Sequence, residues 1–106
     1  MKLLHTKFEY HDSTLVKVAW LQDSELRLTF KLDGHWNYGS SIVVSVMFSG
    51  VRNPDVVKSS LCEIASKMTH DRWLADVVGI WRESNSSYLV DTSQGALVID
   101  ASSFAE

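Results

Sequence analysis

The stretch Glu25-Leu26-Arg27-Leu28-Thr29-Phe30-Lys31-Leu32-Asp33 decides the fold. Leu26, Leu28, Phe30 and Leu32 alternate with Glu25, Arg27, Thr29, Lys31 and Asp33, and a period of two puts each set on its own side of a β-strand. A strand with one apolar and one polar face is half-buried, the habit of antiparallel sheets with one side in water. Just upstream, Leu15-Val16-Lys17-Val18-Ala19-Trp20-Leu21 reads as its partner, with Val16, Val18 and Trp20 on one face. Between the two, Gln22-Asp23-Ser24 offers short polar side chains that bond their own backbone, so the pair forms a hairpin.

Downstream of the hairpin lies the loop Asp33-Gly34-His35-Trp36-Asn37-Tyr38-Gly39-Ser40-Ser41. Ile42 to Phe48 reads as a third strand, with Ile42, Val44, Val46 and Phe48 on one side. Val43 and Met47 make its other side apolar too, which suits a central strand or one paired on both edges. The period then changes. Asn53 can cap a helix, Pro54 suits the first helical position, and Asp55 complements the helix dipole in the first turn. Val57, Leu61, Ile64 and Met68, with Ala65, recur at three and four and give an apolar stripe. The spacing predicts a helix from about residue 54 to about 68, or a shorter one with an extended segment after Cys62. Strands return at Trp73 to Arg82, Ser87 to Asp91 and Ala96 to Ala101, separated by the turns Glu83-Ser84-Asn85-Ser86 and Thr92-Ser93-Gln94-Gly95. The expected fold is α+β: an antiparallel sheet of about six strands with one main helix packed on one face, in the order β-β-β-α-β-β-β.

With 106 residues the chain makes one domain, 1–106, without an evident linker or repeat. Hydrophobic residues at 45% and charged ones at 22% are ordinary globular usage. A formal charge of -3 argues against direct nucleic-acid binding. No apolar run approaches a membrane span, and the opening Met1-Lys2-Leu3-Leu4-His5-Thr6-Lys7 is too short and charged for a signal peptide. The single Cys62 cannot form an internal disulfide, which fits a reducing cytoplasm, and near the apolar stripe it reads as a small buried hydrophobe.

Motifs for chemistry are thin. His11-Asp12 and His70-Asp71 are adjacent pairs whose side chains diverge on an extended chain, and His35 adds a third imidazole in a loop. There is no H-E-x-x-H, no phosphate-cradling glycine loop and no Gly-x-Ser-x-Gly, so no catalytic residue, metal ligand set or cofactor is expected. The tryptophans say more. Trp20 belongs to the core face. Trp73 and Trp81, eight apart, share a face with Ala75, Val77 and Gly79 if no bulge intervenes, while Leu74, Val78 and Ile80 occupy the opposite face, where they could meet the helix. Trp36 and Tyr38 sit in a loop flanked by Gly34 and Gly39, where a core role is not compulsory, and such side chains are enriched in binding hot spots. Glu83, Asp91, Asp100 and Glu106 lie in the last quarter of the chain, which holds no lysine or arginine. That acidic end reads either as a solvated sheet edge or as a face that steers a basic partner.

The opening Phe8-Glu9-Tyr10-His11-Asp12-Ser13-Thr14-Leu15-Val16-Lys17-Val18 and the run Val46-Met47-Phe48-Ser49-Gly50-Val51-Arg52-Asn53 resemble a group of small bacterial α+β proteins that begin with an aromatic-x-His-Asp-Ser stretch. Several of that group are immunity proteins of contact-dependent growth inhibition and other polymorphic toxin systems. The resemblance implies a cytoplasmic, non-catalytic protein that binds one cognate toxin domain. It carries over no set of binding residues, and His11, Asp12 and Ser13 are expected to shape the turn into the first strand. A nuclease toxin would present a basic active cleft. The surfaces suited to it are the loop residues Asp33, His35, Trp36 and Tyr38, and the acidic residues Glu83, Asp91 and Asp100. The other readings are a ligand-binding or assembly module using the Trp36 loop and the aromatic sheet face as a pocket, and a hydrolase built on His11, His35 and His70.

Overall fold

A computed structural model describes residues 2–4, 6–22, 24–37, 39, 42–67 and 75–106. The chain runs β1 (Lys2–Leu3), β2 (Thr14–Gln22), β3 (Glu25–Lys31), β4 (Val43–Ser49), α1 (Pro54–Ser66), β5 (Ala75–Ser84), β6 (Ser87–Thr92), β7 (Gly95–Asp100) and β8 (Ser103–Ala105). All pairings are antiparallel, in the order β7-β6-β5-β2-β3-β4-β8, with β1 added beside β5. The α+β class, the antiparallel sheet and the single helix packed on it are as the sequence predicts. The short strands β1 and β8 are additions to that expectation.

In β3 the alternation holds through its length: Leu26, Leu28 and Phe30 are fully buried, and Leu32 follows them inward just past the strand. Leu15, Val18 and Trp20 of β2 lie opposite Phe30, Leu28 and Leu26, and the register slips between Leu15 and Lys17. That slip is a β-bulge, and it corrects the expected face of β2. Val16 is the extra residue and drops out of the alternation, while Leu15 takes the core position. Strand β4 lies between β3 and β8, paired on both sides. Its Val46 and Phe48 are buried, but Ile42 falls before the strand and is exposed.

Among the described residues, the strand ladder between the β3 half and the β6 half of the sheet is short, Thr14–Asp76 and Leu15–Ala75 of β2 and β5. Strands β7 and β8 stand at opposite ends of the strand order yet are joined by Ala101 and Ser102 alone. The sheet therefore curls until its ends meet. Ala101 N–H donates to Ser86 O at 2.8 Å and Ser102 N–H to Ser49 O at 2.9 Å, fixing the closure. Inside the curl, Phe48 of β4 stands edge-on to Tyr88 of β6 at 5.4 Å, and Phe104 of β8 lies 5.3 Å from the Phe48 ring.

Helix α1 lies on the inner face of β7. Val57 and Ile64 are buried and Leu61 partly so, as the stripe predicts. Ile64 Cγ1 sits 3.2 Å from where a Cβ on Gly95 would be, so the glycine lets the helix approach. The Lys58 ammonium lies 5.1 Å from the centre of the Trp20 ring. Three expectations are corrected. The helix ends at Ser66, two residues short of the expected end, and passes Cys62 unbroken; Met68 lies outside the described residues. Cys62 is exposed, because it falls off the face that meets β7. Asn53 precedes the helix without a side-chain cap. Its amide instead donates to Val98 O and accepts from Asp100 N–H, each at 2.9 Å, standing in for a neighbouring strand on the edge of β7.

Candidate functional site

Strand β5 is bulged as well. Val77 pairs with Thr92 and Gly79 with Asp91, leaving Val78 as the extra residue. Ala75, Val77 and Ile80 consequently face the core, whereas Gly79 and Trp81 share the outer face. The expected grouping of Trp81 with Ala75 and Val77 is overturned by this one insertion. Trp81 Nε1 lies 3.3 Å from where a Gly79 Cβ would stand, so the indole folds back across the glycine.

The bulge frees the Val78 carbonyl from the ladder, and the His11 ring takes it through Nδ1 at 3.0 Å. A carbonyl only accepts, so Nδ1 carries the proton. His11 belongs to a turn from Tyr10 to Ser13, closed by Ser13 N–H donating to Tyr10 O at 3.0 Å. Asp12 sits there at φ +62°, a left-handed conformation that aspartate tolerates better than most side chains. Asp12 N–H donates to Val77 O and Val77 N–H to Ser13 O, so the turn is riveted to β5 on both sides of the chain reversal. His11 and Asp12 thus enter the strand through the turn.

A second loop meets this turn. Asp33 Oδ1 accepts from His35 N–H at 2.7 Å, and Trp36 N–H donates to Asp33 O at 3.3 Å, so an aspartate organises the reversal. Asn37 is buried. Its amide donates to both Glu9 O and Asp33 O while its Oδ1 accepts from Glu9 N–H at 3.0 Å. This clamp presents Trp36 to the His11 turn. The Trp36 indole N–H donates to Asp12 Oδ2 at 2.9 Å, and its ring stands edge-on to His11 at 5.2 Å and to His35 at 5.0 Å. Yet Trp36 remains 45% exposed.

Between Trp36 and Trp81 lies a cleft of about 310 Å³, floored by Tyr10 and Val78 and bordered by Glu9 and His11. Tyr10 is buried beneath it and donates its hydroxyl to Glu106 Oε2 at 2.7 Å. Burial first, then the hydrogen bond and the charge of Glu106, push its pKa well above the ordinary tyrosine range.

The candidate residues fall into three groups. Asp33, His35 and Trp36 come together in one loop, of which Trp36 lines the cleft, while Tyr38, together with His70, Asp71, Trp73 and Leu74, lies outside the described residues. Asp91 is half-buried on the outer face of β6, opposite Gly79 and therefore on the Trp81 side of the sheet. Glu83 is exposed near the end of β5, accepting from the Ser87 hydroxyl. Asp100 stands apart. Its carboxylate is gripped by Arg52 through Nη2 and through Nε at 3.1 Å, so its charge is already matched at the sheet closure. The sequence singles out His11 and Asp12 only as a polar pair in the turn before β2, and it does not single out the Asn37 clamp that presents Trp36 to them. The polar pairs are visible there, but their meeting depends on the bulge. Among the described residues no group of three or more His, Cys, Asp or Glu side chains is placed to hold a metal ion. No helix among them is long and apolar enough to cross a membrane.

No protein-family model, curated protein or solved structure matches this chain.

Proposed function

We propose that the chain is an immunity protein: a non-catalytic, stoichiometric inhibitor that binds a cognate bacterial toxin domain, a nuclease, and occludes its active site. The observation that carries the reading is Trp36, nearly half exposed yet held by the Asp12 hydrogen bond and two imidazole rings. An aromatic side chain fixed before binding loses little conformational freedom on contact, which is what a binding hot spot requires. The resemblance of the opening residues and the acidic balance of the chain point the same way. The Glu83 and Asp91 carboxylates supply a negative approach to a phosphate-binding cleft. The test is co-purification with the toxin domain encoded by the neighbouring gene, together with inhibition of its nuclease activity at one-to-one stoichiometry. A domain that neither binds nor is inhibited sinks the proposal.

The cleft volume favours one second reading. About 310 Å³ sits at the small end of ligand pockets, which run from roughly 300 to 1,000 Å³. A module that takes a small aromatic or aliphatic ligand there would bind it without any toxin present.

A further inference from the structure

We infer that the cleft between Trp36 and Trp81 receives a basic side chain of the protein partner, an arginine for preference, held by the aromatic walls and the Glu9 carboxylate. This deepens the proposed function and rests on it, since it names the chemistry by which the partner is gripped.

The walls carry the argument. Trp36, Trp81 and Tyr10 supply aromatic surface, and Val78 and Ile80 add apolar surface, but among the described residues that line the cleft none is a lysine or an arginine. Among those described residues the formal charge is the carboxylate of Glu9. A second carboxylate, Asp12, lies just behind Trp36 as the acceptor of its indole N–H, and a third, Glu106, behind the Tyr10 hydroxyl. His11 keeps one ring proton on the Val78 carbonyl. Aromatic faces attract cations through the ring quadrupole, and tryptophan does so best. Guanidinium is planar, weakly hydrated and able to stack on a ring while donating to a carboxylate at its edge, which makes arginine a better occupant than lysine. Both indoles are already placed: Trp36 by Asp12 and the two imidazoles, Trp81 by lying back across Gly79. The reading also agrees in sign with the proposed target, because a cleft that binds phosphates is built from basic side chains.

Glu9 gives a clean handle. It is exposed, and its Oε1 accepts from His11 N–H at 3.0 Å, a bond that Glu9→Gln can keep through the amide oxygen while losing the charge. The probe is N-acetyl-arginine methylamide, titrated into the full chain, with N-acetyl-citrulline methylamide as the neutral isostere. The readout is the indole N–H signals of Trp36 and Trp81 in a ¹⁵N spectrum. Saturable shifts of both indoles are expected with the arginine amide in the millimolar range, about tenfold weaker or absent with the citrulline amide. Glu9→Gln should remove most of that preference with the rest of the spectrum unchanged. Equal binding of the two amides, no shift of either indole, or a preference untouched by Glu9→Gln overturns the inference. If the arginine amide fails while the toxin domain still binds and is inhibited, the grip is wrong and the proposed function stands. If the amide binds as expected while no toxin domain is captured, the cleft chemistry stands and the function falls.

Discussion

The Tyr10 hydroxyl donates to Glu106 Oε2 at 2.7 Å, joining two residues 96 positions apart in the chain. The same carboxylate accepts from Lys7 N–H through Oε1 at 2.6 Å. Together these bonds tie the segment after β8 to the strand-free stretch that floors the cleft, so the cleft depends on the closure of the curled sheet.

That pair has a pH signature. Burial and Glu106 keep Tyr10 protonated in the fold beyond the ordinary tyrosine value near 10, while the unfolded chain loses the proton there. The native state then holds more protons than the unfolded one, so the stabilisation is complete below about pH 10 and is lost as pH rises further, by up to about 1.4 kcal/mol per pH unit. Tyr10→Phe should lower stability by about 1–2 kcal/mol at neutral pH through the lost hydrogen bond. Above about pH 10 the difference between the two proteins should shrink. Urea unfolding of both at pH 8 and in the alkaline range measures it, and a constant gap would contradict the assigned protonation.

Asn53 separates two kinds of polar anchor. As a helix cap, aspartate would serve about as well as asparagine. In its observed place the side chain must donate to Val98 O as well as accept from Asp100 N–H. Asn53→Asp should therefore lose about 1–2 kcal/mol, with a carboxylate facing a carbonyl, and Asn53→Ala a similar amount with Asp100 N–H left unpaired. Chemical denaturation decides between the roles: an aspartate variant as stable as the parent would restore the capping one.

The core face of β3 makes a sharper test. Leu28 is fully buried, opposite Val18 on one side and Val46 on the other. Leu28→Asp should prevent folding, since an unpaired buried carboxylate costs several kcal/mol. Lys31, on the opposite face, is exposed, and Lys31→Asp should change stability by no more than about 0.5 kcal/mol. Expression, circular dichroism and thermal melting of the two variants give the contrast.

Much of this architecture is legible from side-chain period alone. Residues 26 to 32 alternate because one face meets the core along the whole strand, and α1 shows its stripe for the same reason. The bulges at Val16 and Val78 are invisible, because no residue type there demands one. Each is a mismatch of register between two strands, settled only when both are paired. The site inherits this limit. The glycines around Trp36 hint that it is not core, but its Asp12 partner arrives through a turn anchored on the freed edge of Val78. Asp100 illustrates the opposite failure. Read along the chain it is one of four acids in a stretch that holds no lysine or arginine, whereas the curl brings Arg52 against it from 48 residues away.

Binding kinetics follow from these placements. Trp36→Ala removes the exposed, fixed indole but also leaves Asp12 Oδ2 without its donor, an exposed loss that the fold should survive. Against the proposed toxin partner, the variant should lose about 2 kcal/mol or more of binding energy, chiefly by faster dissociation, as expected when a central anchor is truncated. The charges should act differently. Among the described residues Glu83 and Asp91 carry no ion pair, so Glu83→Lys with Asp91→Lys reverses the approaching field without breaking a bridge there. This variant should associate about tenfold more slowly at low salt, with the deficit fading as ionic strength rises and the field is screened. Asp100→Lys cannot serve in that experiment, since it sets two cations against each other at the Arg52 bridge that closes the sheet. Stopped-flow association at two salt concentrations and surface-based dissociation separate the two effects. A Trp36→Ala variant that stays folded and dissociates at the parent rate removes the loop from the interface. A charge-reversed variant whose association is equally slow at high salt removes steering as the reason for its acidic end.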